Sequence, residues 1–511
     1  MGSVLEARLR RETRKSRLLI KNARQSLAGY DEQKLAEQQN YKVAKIMTAG
    51  TASEQNDKSE PGADSDASDA NLSPADEISG WLKQQGEFEP RYCRTKLGVL
   101  ESKVSKFAEK FDPISALDDE FFEYSGGKDK EGECDGVGVL EYEEGSYLTG
   151  CWHHGRREGH FRLETQHPQA EVYHLEGDYR GDELCGRARL QLRDETWQEG
   201  WFKDSVLHGF SRKFDKNKQL TWVGMFRNGK PFGVCWLLMP GGGCVVGPVN
   251  EEGALTGDNI AYIYPDFHTA FLGQFTEGQL VRAVRATVTG VRDQYSCIKV
   301  PQFLTHDEEV LYHREVSTCH FITTSPMLRD PYEVSMVEVR QSMVEGAEEG
   351  LFSRRNVPTG TVLAFYNGIR RDKPQDSCSA WQLEENAYKI FDPTKKEGVV
   401  DIPQHFRSLT NYCASLAHKT NHSFIPNCEF GEFFHPRFGL VPCLQAIHSI
   451  AAGEEIFVWY GYELDYCPPW YMDAWAKGQS CHRTLSWAFY YFFFSGDFAV
   501  PDSMKTEYGV N

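Results

Sequence analysis

The sequence lacks several features that would place it in a familiar class at once. Its 14 cysteines are scattered along 511 residues, with no Cys-x-x-Cys pair and no regular spacing. This argues against a disulfide framework and indicates reduced thiols in an intracellular protein. The longest apolar run, residues 487–494, is far too short to span a bilayer. Arg8, Arg10 and Arg11 come early with no apolar run after them, so we expect no secretory signal.

An excess of positive charge is also missing. The chain carries 74 Asp and Glu against 56 Lys and Arg, a net charge of −18. We therefore expect no direct nucleic-acid contacts from the folded core and no general binding to an anionic membrane. Hydrophobic residues make up 40% and aromatic residues 13%, which is enough for real cores, and the length suits about three domains.

Composition divides the first 130 residues into three parts. Residues 1–50 carry 11 Lys and Arg against 5 Asp and Glu, which favours a basic helical extension, either a localisation or phosphate-binding helix or a solvated one. Residues 51–78 are small, acidic and polar, which predicts a disordered linker. Residues 79–130 are predicted to be a helical segment, with one amphipathic helix over residues 97–111, because apolar residues there lie three and four apart.

A repeat begins near residue 135. Each copy starts with Gly-x-aromatic, degenerate in one copy, and most copies have a second glycine nine or ten residues later. The copies start at Gly150, Gly177, Gly200, Gly224, Gly247 and Gly273. This period predicts stacked β-hairpins, in which the aromatic packs on one face and a turn glycine takes a positive φ without strain. Each hairpin is marginal alone, so stacking is required.

The copies resemble MORN repeats, and we place the array at residues 131–290. The resemblance implies a structural and interaction module that binds a protein or a lipid surface. By itself it says little about activity, because function resides in sites rather than in folds.

The stretch "CASLAHKTNHSFIPNCEFGEFF", residues 413–434, contains polar residues that could carry chemistry. Three interpretations compete here: a metal site, a Cys-His nucleophile pair, and a core loop with incidental polar residues. Cys413 and His418 are five apart, and His422 and Cys428 are six apart, unlike the ligand spacing of structural zinc sites. No oxyanion-hole motif accompanies a nucleophile. We therefore expect neither a metal site nor a nucleophile site, and a core loop with incidental polar residues is the default interpretation of this stretch alone.

Two further stretches change the balance. They are "EGAEEGLFSRRNVPTGTVLAFYNG", residues 345–368, and "GEEIFVWYGYELD", residues 453–465. With Asn-His-Ser they resemble the SET domain of protein-lysine methyltransferases, since Asn-His-Ser and Tyr-Gly-Tyr occur in the expected order about 40 residues apart. The preceding array narrows the resemblance to MORN-repeat histone-lysine methyltransferases of the SET seven/nine type, over about 135–475.

The fold implied is mainly β, with a hairpin array followed by a knotted SET domain. We place that domain at residues 335–475, closed by a C-terminal helix, and leave an aromatic-rich tail of unknown role at 480–511. The Asn-His segment is expected to cross beneath the Tyr-Gly-Tyr segment, as a cradle for a cofactor.

The resemblance implies a protein-lysine N-methyltransferase that uses S-adenosylmethionine. Its expected substrate is a histone tail, at a lysine of histone three, and other nuclear proteins. Its expected location is the nucleus, on chromatin, with the cytoplasm as a second location. The rival hypothesis is a binding scaffold whose SET domain is degenerate and inactive.

Lysine methylation sets a clear demand on the site, because the amine must be neutral and aimed. The unperturbed pKa of lysine is near 10.4. An aromatic channel lowers that pKa by desolvation, and tyrosine hydroxyls orient the amine. Proximity and orientation then supply much of the rate.

The resemblance assigns roles to particular residues. The expected cofactor-binding residues are Ala347, Glu348, Glu349, Asn421, His422 and Trp470. The expected catalytic residues are Tyr366, Tyr460, Tyr462 and His422. The expected substrate-binding residues are Tyr366, Asn386, Phe430 and Tyr460.

Four positions depart from the family pattern. Glu348 replaces a glycine, and a positive φ there would cost of order 1 kcal/mol or more. Phe430 stands where a channel tyrosine is expected, which suggests that the product is not limited to monomethyl-lysine. Ala474 replaces a carboxylate near the cofactor, and Pro442 replaces a lysine near the peptide.

Overall fold

The computed structural model describes most of the chain from residue 72 onward. It describes residues 72–88, 100, 102–111, 122–142, 145–165, 167, 170–306, 309–372, 388–395, 398–462 and 467–481. The predicted basic extension, most of the predicted linker, Asn386 and nearly all of the aromatic-rich tail lie outside these residues.

The first described element is helix α1 (Pro74–Gly86). Its start follows from local chemistry, because Ser73 Oγ accepts a hydrogen bond from the backbone N–H of Asp76 at 3.2 Å and proline occupies the first helical position. The predicted linker ending at residue 78 is therefore wrong at its C-terminal end. The cap and the proline begin the helix four residues earlier than its apolar residues alone suggest.

Helix α1 lies on the sheet described below. Its apolar face buries Ile78, Trp81 and Leu82, and the rings of Trp81 and Trp236 lie 5.5 Å apart. Near the last turn, Arg212 Nη1 donates to the carbonyl of Gln85 at 2.7 Å. A cation at a helix C-terminus is also favoured by the helix dipole.

The predicted helix over residues 97–111 is wrong for the described part, residues 102–111, which forms turns. There the N–H of Ala108 closes one turn on the carbonyl of Ser105 at 3.0 Å, and other backbone N–H groups bond to the sheet. The N–H of Ser105 donates to Asn228 Oδ1 at 3.0 Å, and that of Phe111 donates to the carbonyl of Ser205 at 2.5 Å. Phe107 is 84% exposed, so the apolar spacing did not mark a buried face.

The predicted hairpin array is a continuous antiparallel sheet in which nearly every strand pairs with the next. Its strands are β1 (Phe122–Lys128), β2 (Cys134–Tyr142), β3 (Tyr147–His153), β4 (Arg156–Arg157), β5 (Gly159–Glu164), β6 (Val172–Arg180), β7 (Glu183–Leu192), β8 (Trp197–Lys203), β9 (Val206–Phe214), β10 (Leu220–Arg227), β11 (Lys230–Leu238), β12 (Cys244–Pro248), β13 (Gly257–Ile263), β14 (Thr269–Thr276), β15 (Gln279–Gln294), β16 (Ile298–His306) and β17 (Tyr312–His313). The predicted limits of the repeat array, residues 131–290, stay a prediction. The sheet runs without a break from β1 to β17 and so marks no boundary at those residues.

The repeated glycines have two different roles. At the first glycine of a copy the neighbouring strand comes close: a Cβ on Gly150 would lie 2.3 Å from the ring of Phe161. The second glycine takes a positive φ, as at Gly186 (φ +84°). We expected that glycine in the turn, but it lies within strand β7. The turn before it is formed by Gly181 and Asp182, both also at positive φ.

The array contains a buried charge cluster on three adjacent strands. Register places Arg189 of β7 and Arg212 of β9 on either side of Glu199 of β8. Arg189 Nε lies 2.7 Å from Glu199 Oε1, Arg187 Nη2 lies 2.8 Å from Oε2, and Arg212 donates to Oε2 as well. All four side chains are buried.

The remaining elements form a compact β-rich domain with short strands. They are helix α2 (Pro331–Met336), β18 (Val337–Gln341), β19 (Glu349–Ser353), β20 (Val362–Phe365), β21 (Ile369–Asp372), β22 (Lys389–Phe391), β23 (Gly398–Asp401), β24 (Asn421–His422), β25 (Cys428–His435), β26 (Gly439–Ala446), β27 (Phe457–Val458) and helix α3 (Pro469–Cys481). The prediction of a mainly β fold is confirmed, with 50% strand and 9% helix among the residues that the structure describes. No helix among the described residues is long and apolar enough to cross a membrane.

The array and the second domain share one core. Tyr264, just after β13, donates to Asp330 Oδ2 at 2.5 Å, and His435 Nε2 lies 3.0 Å from the same oxygen. Asp330 also caps helix α2 through its other oxygen. The second domain is therefore packed directly on the last hairpins of the array.

Candidate active site

Two segments far apart in sequence meet as a parallel pair at the centre of the second domain. Strand β24 pairs with β27, so that Asn421 lies opposite Phe457 and His422 opposite Val458. The N–H of Ser423 extends the pair by donating to the carbonyl of Val458 at 3.0 Å. The predicted Asn-His and Tyr-Gly-Tyr segments are thus brought side by side.

Asn421 ties this pair to the turn before β19. Its Nδ2 lies within hydrogen-bonding distance of Ser342 Oγ (3.0 Å), the carbonyl of Glu349 (2.9 Å) and Glu455 Oε1 (3.1 Å). Glu455 is buried and also accepts from the N–H of Met343 at 3.0 Å. The amide of Asn421 and the carboxylate of Glu455 therefore fix the start and the end of the loop that contains Ala347 and Glu348.

Asn427 shapes backbone on the other side of the pair. Its Oδ1 accepts from the N–H of Phe457 at 2.8 Å, and its Nδ2 donates to the carbonyl of Glu455 at 2.9 Å. One side-chain amide thus replaces a short piece of β-ladder at the entry to β27.

His422 is neutral and has one nitrogen without a partner among the described residues. Its Nδ1 accepts from the N–H of Tyr460 at 3.1 Å, so the ring proton is on Nε2. Burial lowers the pKa of His422 to about 4. Nε2 is buried and has no hydrogen-bond partner in the described structure. An orphaned donor of this kind fits a ligand that presents an acceptor.

Three tyrosines lie beside this pair. Tyr460 donates its hydroxyl proton to the carbonyl of Thr420 at 2.8 Å, so only its oxygen lone pairs remain for another donor. The rings of Tyr460 and Tyr462 lie 5.5 Å apart, and Tyr366 is buried on the core side. Burial raises the pKa of all three phenols well above the usual value. None of them can therefore act as a phenolate base near neutral pH.

Phe430 lies next to Tyr366. It sits on β25, and its ring meets that of Tyr366 edge-on at a centroid distance of 6.2 Å. Tyr366 is held in place by its own N–H, which donates to the carbonyl of Pro442 at 2.8 Å. Phe430 thus contributes an apolar wall with no hydroxyl next to Tyr366.

The loop before β19 does not carry the strain that its sequence suggested. Glu348 is not among the residues with a positive φ, and the left-handed position belongs to Gly346 (φ +85°). The expected cost at Glu348 is therefore absent. The next residue, Glu349, pairs with the buried ammonium of Lys419, which also donates to the carbonyl of Arg407 at 2.6 Å.

Trp470 completes the site from helix α3. Its ring is 43% exposed and lies 6.1 Å from that of His422 and 6.4 Å from that of Tyr460. Tyr471 packs on the other side, 4.6 Å from His422. Helix α3 therefore covers the Asn-His pair, in the place predicted for a closing helix.

Sequence reasoning missed several residues that organise the site. Glu333 of α2 accepts through Oε1 from the N–H groups of Phe365 (2.9 Å) and Leu416 (2.8 Å), and so joins the strand before Tyr366 to the loop before Asn421. Glu455 and Lys419 have comparable roles. Both stand inside quoted motifs, but nothing in a single sequence distinguishes a buried Glu or Lys from an exposed one.

The residues present fit S-adenosylmethionine as a cofactor. The unpaired Nε2 of His422, the half-exposed ring of Trp470 and the loop of half-buried Ala347 and exposed Glu348 lie beside the Asn-His pair. They offer a donor, a flat aromatic surface and accessible main chain, which are the groups that a zwitterionic nucleoside needs.

Comparison with known families supports this architecture. Residues 226–298 match the family model described as the N-terminal region of the histone H3 K4-specific methyltransferase SET7, and residues 348–461 match the SET domain model. Over 255 residues, 50% of this chain, the sequence is 38% identical to the histone-lysine N-methyltransferase SETD7 of Halocynthia roretzi. The match spans 65% of the length of that relative.

Two solved structures show a likeness over a smaller part. One is ctPRC2 in an autoinhibited conformation bound to S-adenosylmethionine, with 19% identity, a TM-score of 0.20, and coverage of 28% of this chain and 17% of that one. The other is a humanized mutant of the Chaetomium thermophilum Polycomb Repressive Complex 2 bound to the inhibitor GSK343. It has 20% identity, a TM-score of 0.19, and coverage of 27% and 16%.

The two family models match in the order that the sequence motifs predicted. The chain therefore contains a SET domain, preceded by a region that resembles the N-terminal part of proteins of the SET seven/nine type.

Proposed function

We propose that the chain is a protein-lysine N-methyltransferase that uses S-adenosylmethionine. The observation that carries this proposal is the parallel pairing of Asn421 and His422 with β27. The pairing supports the proposal because Nε2 of His422 has no partner among the described residues and the ring of Tyr460 lies 5.3 Å from that of His422.

S-adenosylmethionine, when bound, supplies an electrophilic methyl group next to a positive charge. The residues that would hold it are Asn421, His422, Trp470 and the loop from Ala347 to Glu349. Asn421 fixes the loop through the carbonyl of Glu349, as described above.

The chain's own groups prepare the lysine. Aromatic walls remove water from the amine and so lower its pKa, because desolvation disfavours the ammonium form. The hydroxyl proton of Tyr460 is engaged in its hydrogen bond to the carbonyl of Thr420, so the Tyr460 oxygen accepts from the amine N–H and aims the nitrogen lone pair. Since burial keeps the phenols of Tyr366 and Tyr460 protonated, the amine loses its proton to water rather than to a tyrosine.

The wall formed by Phe430 bears on how many methyl groups are added. A phenylalanine leaves room where a tyrosine would place a hydroxyl and a bound water next to the amine. We propose that the product includes dimethyl-lysine. A product that contains only monomethyl-lysine would contradict this.

The substrate class follows from the relatives and from charge. The matching family model is described as specific for lysine 4 of histone H3, and the relative is called a histone-lysine methyltransferase. A net charge of −18 suits a basic tail. We propose a histone H3 tail and other nuclear proteins as substrates, a nuclear location, and a MORN-type role for the array as a protein-binding or lipid-binding surface.

The test is incubation of the full chain with S-adenosylmethionine and mixed histones, followed by mass spectrometry of lysine residues. We expect methylated lysine in the wild type and a loss of about 100-fold in His422→Ala and in Tyr460→Phe, because misplacement of either reactant removes most of the benefit of orientation. Tyr295→Phe, at an exposed tyrosine of the array, is the matched control and should behave as wild type.

Calorimetry with S-adenosylmethionine separates this proposal from the scaffold hypothesis. Binding with turnover supports the enzyme. The absence of both in a folded wild type would reject it and favour a degenerate site, with Ala474 as the first position to restore to a carboxylate.

A further inference from the structure

Tyr388 is a half-buried tyrosine that the sequence motifs did not single out. It stands directly before β22, and its carbonyl accepts from the N–H of Ile402 at 2.9 Å, one residue after the end of β23. This hydrogen bond and the pairing of β22 with β23 fix its backbone beside the core of the SET domain.

The ring of Tyr388 is held on several sides. The ammonium of Lys419 lies 5.5 Å from its centroid, and the guanidinium carbon of Arg407 lies 5.1 Å from it. The ring of His418 lies 6.0 Å away. Cations against a ring face stabilise its orientation, so the ring is not free to turn away.

His418 connects Tyr388 to the site. The ring of His418 meets that of Tyr366 edge-on at 6.5 Å, and burial lowers the pKa of His418 to about 3, so the imidazole is neutral. Neither ring nitrogen has a hydrogen-bond partner among the described residues. Tyr366, His418 and Tyr388 thus form a continuous aromatic wall with unused polar atoms behind it.

Tyr388 lies near the other phenols, because the ring of His418 meets both Tyr388 and Tyr366. Tyr388 contributes to the raised pKa of both Tyr366 and Tyr460, after burial and the nearer tyrosines, which requires the three phenols to lie near one another. No hydrogen bond from the Tyr388 hydroxyl is found within the described ranges. The ring is fixed while its hydroxyl stays available.

We propose that Tyr388 is a substrate-binding residue of the lysine channel, a fourth tyrosine that contacts the target side chain beside Tyr366 and Tyr460. This inference rests on the proposed function. Its aromatic edge packs on the aliphatic stem of the lysine, and its hydroxyl adds a hydrogen-bonding group to a channel in which Phe430 supplies none. Tyr388 therefore sets how tightly the lysine is held and how readily a methylated amine turns for a second transfer.

A purely structural role is the competing explanation, because Tyr388 also covers the Lys419 ammonium. The two roles separate in Tyr388→Phe, which keeps the ring and its cation contacts and removes only the hydroxyl. A residue that merely packs against Lys419 would tolerate this change, whereas a substrate-binding residue would not.

The experiment measures kcat and KM with a histone H3 tail peptide, the mono-to-dimethyl ratio, the peptide Kd by fluorescence anisotropy and the S-adenosylmethionine Kd by calorimetry. For Tyr388→Phe we expect the peptide KM and Kd to rise about 3- to 10-fold, the scale of one hydrogen bond, with the cofactor Kd unchanged. The mono-to-dimethyl ratio should shift as well. Tyr388→Leu should raise KM further, and Tyr295→Phe should change nothing.

The outcomes are distinguishable. An active wild type with Tyr388→Phe unchanged in KM, peptide Kd and product ratio would overturn this inference and leave the proposed function intact. The same holds if the cofactor Kd weakens while peptide binding does not, since that is the result of disturbing Lys419. A wild type without cofactor binding and without turnover would overturn the proposed function, and this inference with it.

Discussion

The hairpin array and the SET domain are both β-rich, yet different interactions hold them together. In the array, nearly every strand bonds to the next along the chain, and the requirement on sequence is a glycine and an aromatic at fixed intervals. In the SET domain, polar side chains such as the partly buried Asn427 and the buried Glu333 bond to backbone groups far away in the sequence. Stability is distributed in the array and concentrated in a few side chains in the SET domain.

The cluster at Glu199 is the exception within the array, and it gives the largest expected effect. Glu199→Gln leaves Arg187, Arg189 and Arg212 buried without a carboxylate, so we expect a loss of about 3–5 kcal/mol in the free energy of unfolding. Urea unfolding followed by tryptophan fluorescence measures it. The exposed pair of Lys110 with Glu183 provides the control, since Glu183→Gln should leave the transition where it is. Equal urea midpoints for Glu199→Gln and Glu183→Gln would show that the buried cluster stabilises the array no more than an exposed ion pair does.

Removal of one buried acid should cost the SET domain less stability than it costs the array. The same change should also remove methyl transfer. Glu333→Ala leaves the N–H groups of Phe365 and Leu416 buried and unpaired, which we expect to cost about 2–3 kcal/mol. Glu333→Gln keeps an acceptor and should retain most of the stability. Thermal unfolding and methyl transfer, measured in parallel, test this. Equal stability of Glu333→Ala and Glu333→Gln would show that the hydrogen bonds from Phe365 and Leu416 to Glu333 do not stabilise the domain.

The two acids also respond to pH with opposite signs. Burial would raise the pKa of Glu199, but the three arginines lower it to about 2, so its stabilisation is present above about pH 4.5 and is lost as pH falls toward 2. Burial raises the pKa of Glu333 well above its usual value. Its contribution is therefore complete below about pH 4.5 and declines as pH rises. In Glu199→Gln the free energy of unfolding should fall less steeply than in the wild type as the pH drops below about 4.5. In Glu333→Gln the decline of that free energy as the pH rises above about 4.5 should be smaller than in the wild type.

The smallest effect should be the same in both regions. Gly186 of the array and Gly346 of the loop before β19 both have a positive φ. A Cβ added at either glycine would meet nothing within 4 Å. Substitution by alanine should therefore cost only the backbone strain, about 1 kcal/mol in each case. A much larger cost at Gly346, read from urea midpoints, would mean that the loop is constrained in a way that the hairpins are not.

The array could be predicted from the sequence because its pattern is local. The repeated aromatics Trp152, Tyr179 and Phe202 are buried as predicted. The period alone could not show that the second glycine lies in a strand, because turn and bulge both favour a positive φ. The apolar spacing over residues 97–111 failed for another reason: those residues bond to the sheet, which sequence spacing does not report.

The SET domain could be predicted only in part. The resemblance identified Asn421, His422 and Tyr460, which the structure brings together. It overstated the cost at Glu348, because Gly346 already supplies the left-handed residue. It missed Glu333 and Glu455, whose partners lie up to about a hundred residues away, and no local pattern reports such contacts.

The strand order also has a consequence for how the chain is made. Hairpins of the array pair residues that leave the ribosome seconds apart, so each can form as soon as it is synthesised. Strand β25 instead lies against the array, where the N–H of Phe434 donates to the carbonyl of Pro240 at 2.9 Å and Tyr262 donates to Phe434 at 2.9 Å. The array can therefore form first and then provide the surface on which the later-synthesised SET domain packs.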